Sequence, residues 1–121
     1  MMEPKEIALL LAKALDSKKG LDIKVLETGE LTTLADYFVL CSATSTSQIK
    51  ALGDACEKAM KEQAGEDPHH VEGHRGGTWV LLDFSSVVVH IFNEEAREFY
   101  DLERLWSDAK NVDISDILEE N

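Results

Sequence analysis

The apolar runs Trp79–Phe84 and Val87–Phe92 are separated only by Ser85-Ser86. Two β-branched and aromatic stretches this close together predict a hairpin, although Ser-Ser is weaker turn chemistry than Asn-Gly. Both runs are almost continuously apolar, so both strands are expected in the middle of a sheet covered on both faces. Asn93 then offers a helix N-cap, and Glu94 and Glu95 place negative charge at the positive end of the helix dipole. Beyond it, Arg97, Tyr100, Glu103, Arg104 and Trp106 crowd amphipathic and aromatic groups together, with no glycine to break them.

The rest of the chain supplies partners for this centre. Pro4 suits a first helical turn, and Ile7, Leu10, Leu11, Ala14 and Leu15 fall on one helical face, with Gly20 as the expected stop. Asp22–Glu27 alternates as a half-buried strand, Thr28-Gly29 turns it, and Tyr37–Cys41 reads as a central strand. Ser45 with Gln48 fits a capping box for a helix that buries Ile49, Leu52, Cys56, Ala59 and Met60 and fades at Gln63-Ala64-Gly65. His69–His74 reads as a polar edge strand, linked flexibly through Gly73, Gly76 and Gly77 to the hairpin. The order α-β-β-α-β-β-β-α predicts a single α/β domain with a mixed, roughly five-stranded sheet flanked by helices. We place the domain at residues 1–110 and an acidic C-terminal tail at 111–121. Only Val112, Ile114, Ile117 and Leu118 anchor that tail, so removal of Asp113–Asn121 is expected to leave the domain folded.

Charge limits the choice of partner. With 24 acids against 12 bases the net charge is −12, which opposes binding to nucleic-acid phosphates or to an anionic membrane. A basic protein partner would suit it, as would a simple role in solubility. The start of the chain resembles neither a secretory nor a transit signal, and its longest apolar run, Ile7–Ala12, is too short to span a bilayer. Cys41 and Cys56 are too few for a disulfide scaffold, so a reduced, cytoplasmic protein is expected.

Each chemical motif has a plainer alternative. The Ser/Thr cluster at 44–47 follows a strand and precedes a helix, where phosphate could bind, but it lacks the glycines of a phosphate loop and reads as a helix cap. Cys41 and His90 are the only thiol–imidazole pair that could form a dyad, yet both lie inside strands. His70, Glu72 and His74 share a strand face that could hold zinc, with no further ligand to complete it. Asp83 is a lone carboxylate where two-metal chemistry needs paired acids. No constellation supports an enzyme, a metal or a cofactor. In the 97–106 stretch, Phe99, Leu102 and Leu105 are expected to face the core. The remaining aromatic and charged groups either form a protein interface or close and solvate the end of the core.

Four segments together resemble the ribosomal silencing factor (Iojap) family. They are A-D-Y-F-V-L-C-S-A-T-S-T-S-Q at 35–48, G-x-x-x-G-x-W-V-L-L-D at 73–83, V-V-V-H-I-F at 87–92 and R-E-F-Y-D-L-E-R-L-W-S-D at 97–108. The similarity runs over roughly residues 4–110. It implies a nucleotidyltransferase-like fold without the catalytic residues, since the strand–helix junction reads Ser42-Ala43-Thr44-Ser45 and no Asp-x-Asp occurs. It also implies a non-enzymatic repressor of translation that binds the large ribosomal subunit through protein uL14 and blocks subunit association under nutrient limitation. A homodimer when free is compatible with the resemblance; DNA and membranes are not expected partners. Residue by residue, the implied uL14 contacts are Trp79, His90, Arg97, Tyr100, Glu103 and Trp106, with Asp36 and Asp83 as supporting acids.

Overall fold

A computed structural model describes residues 2–73 and 77–118. The elements run α1 (Pro4–Ser17), β1 (Leu21–Glu27), β2 (Tyr37–Ala43), α2 (Thr46–Ala64), β3 (His70–Glu72), β4 (Trp79–Asp83), β5 (Val87–Asn93), α3 (Glu94–Tyr100), α4 (Leu102–Leu105) and β6 (Lys110–Asn111). The single α/β domain with a mixed sheet is as expected, with six strands in the order β3-β4-β5-β2-β1-β6. The added strand is the two-residue β6, which pairs with β1. Among the described residues only β2 and β5 run parallel, and the other neighbouring pairs are antiparallel.

Sequence patterning explains where the layers meet. β2 and β5 are buried along nearly their whole length, as expected of central strands. β4 instead alternates, with Val80 and Leu82 buried and Trp79, Leu81 and Asp83 half-buried, so one of its faces is less covered than the apolar run suggested. The cause is the unequal size of the two helical layers. The long helices α1 and α2 cover one face and enclose the larger core, while among the described residues the other face carries the short α3 and α4, the segment leading to β6 and Ala35 of the β1–β2 loop.

The helix ends show which residues carry the backbone constraints. Ser45 caps α2 by accepting from Gln48 N–H at 3.0 Å. The return arm reaches one residue further than a standard capping box, with Gln48 Oε1 accepting from Thr44 N–H at 2.7 Å. After α1 the left-handed residue is Lys19 (φ 61°), not Gly20. Gly20 is needed for a close approach: a Cβ there would stand 2.5 Å from Cys41 Sγ. The buried face of α1 is Ile7, Ala8, Leu11, Ala12 and Leu15, so Leu10 and Ala14 are pushed to its margin.

Two expectations need correction. The helix after Asn93 is broken at Asp101, which adopts a left-handed conformation (φ 46°) and separates α3 from α4. α3 turns Ala96 and Arg97 inward, which leaves Phe99 81% exposed; beyond the break Leu105 is 69% exposed, and of the three expected core residues only Leu102 stays partly buried. The second correction concerns the last segment. Val112 N–H donates to Val25 O at 2.8 Å, Ile114 is buried in the larger core, and Ile117 packs against it. Removal of Asp113–Asn121 is therefore no longer expected to be harmless. Ile114→Ala should lower the unfolding free energy by about 2 kcal/mol or more, as core truncations do, in urea denaturation monitored by circular dichroism. An unchanged midpoint would mean that this segment does not contribute to the core.

Candidate protein-binding face

The lightly covered sheet face carries a continuous set of aromatic rings. Trp79 on β4 stacks on Phe92 of β5 at 5.2 Å, and Tyr100 at the end of α3 lies 4.6 Å from Trp79. Phe99 meets Tyr100 edge-on at 5.1 Å. Phe38 on β2 bridges His90 at 5.2 Å and Trp106 at 5.4 Å, both in edge-to-face geometry. Cross-strand registry produces this arrangement, because Trp79 pairs with Phe92 and Leu81 with His90 in the β4–β5 ladder. Tyr100 is 48% exposed, whereas Trp79 and Trp106 are half-buried.

His90 lies beneath these rings as a fixed polar group. Trp79 Nε1 donates to His90 Nδ1 at 3.2 Å. Indole N–H can only donate, so Nδ1 must be the acceptor and the imidazole proton resides on Nε2. Burial pushes the His90 pKa down to about 4, which keeps the ring neutral near pH 7. Its position also rules out the dyad with Cys41. His90 packs among Phe38, Trp79 and Phe92, whereas Cys41 belongs to the core beneath α1 and α2 on the opposite sheet face. Burial raises the Cys41 thiol to about 12.

Arg97 is placed differently from an exposed contact. It is buried, and it ties α3 to both neighbouring strands and to α4. Nε donates to Glu103 Oε1 at 2.9 Å, while Nη1 donates to Asp22 O at 2.6 Å and to Ser42 Oγ at 2.9 Å. Asp22 sits in a left-handed conformation (φ 47°) at an irregularity in the β1–β2 pairing. Glu103 also receives Lys24 Nζ at 3.0 Å. The Arg97 hydrogen bond, aided by Lys24, holds the Glu103 carboxyl below its usual range.

The eight residues singled out in the sequence thus fall into three places. Trp79, His90, Tyr100 and Trp106 belong to the aromatic face, and Arg97 with Glu103 forms the support beneath α3 and α4. Asp36 and Asp83 lie at one end of the sheet, on either side of the Ser85-Ser86 turn. Asp36 N–H donates to Ser86 O in the loop before β2, and Asp83 Oδ1 accepts from Ser85 N–H in the hairpin turn. The sequence reading missed Phe99 as a surface residue and Arg97 as a buried one. For Phe99 the signal was Asp101, because a short polar side chain tolerates the left-handed break that ends the helical period through 99, 102 and 105. His70 bonds Glu72 at 2.7 Å on the exposed edge strand; His74 lies outside the described residues. Among the described residues no group of three or more His, Cys, Asp or Glu side chains is placed to hold a metal ion.

The chain is thus a small acidic α/β domain with a partly exposed aromatic cluster on one sheet face. The family model described as "Ribosomal silencing factor during starvation" matches residues 1–121. The chain is 33% identical to the ribosomal silencing factor of Halalkalibacterium halodurans, over 97% of this chain and 99% of that protein. A crystal structure of a Chromobacterium violaceum protein superposes with a TM-score of 0.84 at 42% identity, covering 88% of each chain. A mouse protein named "Mitochondrial assembly of ribosomal large subunit protein 1" is 34% identical over 81% of this chain and 44% of its own length. The chain belongs to the ribosomal silencing factor family, a family of regulatory proteins.

The support under α3 and α4 carries a pH signature. A carboxyl with a lowered folded-state pKa stabilises the fold above its unfolded value, and that contribution disappears as pH falls through the folded value. Wild-type unfolding free energy should therefore fall as the solution is acidified below the ordinary glutamate range. Glu103→Gln should flatten that part of the profile while lowering stability at pH 7. Parallel profiles from denaturant titrations at several pH values would show that the ion pair does not stabilise the fold.

Proposed function

We propose that this chain binds the large ribosomal subunit through protein uL14 and blocks association of the two subunits, repressing translation when nutrients are scarce. The observation that carries the reading is the aromatic face at the end of α3, where exposed Tyr100 rests against half-buried Trp79 and exposed Phe99 meets Tyr100 edge-on. Tyrosine and tryptophan are frequent interface anchors, since they bury much area at small entropic cost. Trp106 extends the contact toward β2, while His90, Arg97 and Glu103 hold it from behind. Asp36 and Asp83 contribute charge at its margin. The name of the mouse relative supports a large-subunit partner, and the family supports a silencing role.

Such a function needs occupancy and bulk at a subunit bridge, with no catalysis. The strong negative charge suits a basic ribosomal protein and would speed encounter at low salt. The working location is the cytoplasm, where subunits meet. No described helix is long and apolar enough to cross a membrane. A homodimer of the free chain would have to release this face before it could bind.

The test combines purified subunits, the chain and sucrose-gradient sedimentation. Wild-type protein should co-sediment with the large subunit and reduce the joined particle. Tyr100→Ala should weaken large-subunit binding by about 2 kcal/mol or more, with little loss of unfolding free energy. Phe99→Ala should also leave the fold nearly intact, within about 0.5 kcal/mol, because its ring is exposed. Normal subunit joining in the presence of saturating wild-type chain would overturn the proposal.

A further inference from the structure

Beside the aromatic face, an open cleft of about 420 Å³ runs between α3, the start of β1 and α4. It is lined by Asp22, Glu94, Glu98, Asp101 and Glu103, with Arg97 among them. Glu103 is neutralised by Arg97 and Lys24, and Asp22 Oδ2 lies 3.7 Å from Arg97 Nη2. The carboxylates of Glu94, Glu98 and Asp101 meet no cation or hydrogen-bond donor among the described residues. Three unpaired carboxylates around one cleft make a field that favours positive charge.

A second observation specifies what kind of cation fits. Arg97 is only 8% exposed, and its Nη2 has no hydrogen-bond acceptor. Asp22 Oδ2 is too far away to supply one, and a buried N–H without an acceptor is costly to leave unmet. An occupant that answers both features carries cationic side chains for the carboxylates and a carbonyl oxygen for Nη2. A peptide segment rich in arginine or lysine provides both. A metal ion does not, since the described carboxylates form no cluster able to hold one. The Asp22 side chain is 63% exposed, and it is the group that an incoming carbonyl would displace.

We infer that this cleft receives a basic peptide segment of the partner, with Glu94, Glu98 and Asp101 binding its cationic side chains and Arg97 Nη2 a main-chain carbonyl. The inference rests on the large-subunit reading for the identity of that partner, and the cleft itself can be tested without ribosomes. The probe is a tetra-arginine peptide amide titrated into the full chain and followed by amide chemical shifts, with tetra-glutamate as control. Shifts should concentrate at Asp22, Glu94 to Asp101 and Glu103, and the double variant Glu98→Gln/Asp101→Asn should weaken the peptide at least about tenfold. Both substitutions keep side-chain shape, and asparagine tolerates the left-handed backbone at 101. The same double variant should bind purified large subunits about tenfold more weakly, with a smaller dependence on salt. Shifts centred on the outer faces of α1 and α2, or equal peptide affinity in the double variant, would overturn the cleft assignment. Tight peptide binding with unaltered large-subunit affinity in the double variant would overturn its role in partner binding. If wild-type chain fails to bind large subunits at all, the large-subunit reading fails, and the peptide titration still judges the cleft.

Discussion

The Arg97 guanidinium holds together the part of the molecule on which the proposed function depends. α3 has seven residues and α4 four, too short to persist without tertiary support. Arg97 supplies that support by bonding a β1 carbonyl, a β2 hydroxyl and the Glu103 carboxylate at once. The irregular start of β1 gains its purpose here, because the left-handed Asp22 presents its carbonyl where Nη1 can reach it. Removing the arginine would leave Glu103 and the Asp22 carbonyl without their main partner. It would also free the helix that carries Phe99 and Tyr100.

The aromatic face depends on a second polar restraint. Neutral His90 accepts the Trp79 indole hydrogen bond, which fixes the Trp79 ring and gives Tyr100 a platform. A protonated imidazole would carry hydrogens on both nitrogens and could not accept that bond, so burial and the lowered pKa serve the same geometry. Rings held in this way lose little further freedom on binding. Unpaired carboxylates beside them supply a polar rim to an apolar centre, the usual anatomy of a protein–protein contact. The two layers of the domain thus divide the tasks: α1 and α2 enclose the main core, and the opposite face stays lightly covered.

The sequence showed much of this fold because its strongest signals were local. The Val87–Phe92 run, the Ser45–Gln48 cap and the Asn93 cap each translate directly into an element. The four matched segments also carried the family. The face of α3 was misread because a helical period was extended through Asp101, where a single left-handed residue ends it. Phe99 and Leu105 then lost their expected burial. The role of Arg97 was illegible for a different reason: its partners Asp22 and Ser42 are distant in sequence and meet only once β1 and β2 pair. Ile114 was undervalued because one buried side chain leaves no periodicity to detect.

The face built on β4, β5, α3 and α4 is the proposed working surface, with α1 and α2 as its support. Amide hydrogen exchange of the full chain, free and bound to purified large subunits, tests this most directly. Slowed exchange should appear across Glu94–Trp106 and at Trp79, while the outer faces of α1 and α2 exchange as they do in the free chain. Protection confined to α1 and α2, with Glu94–Trp106 unchanged, would contradict the account.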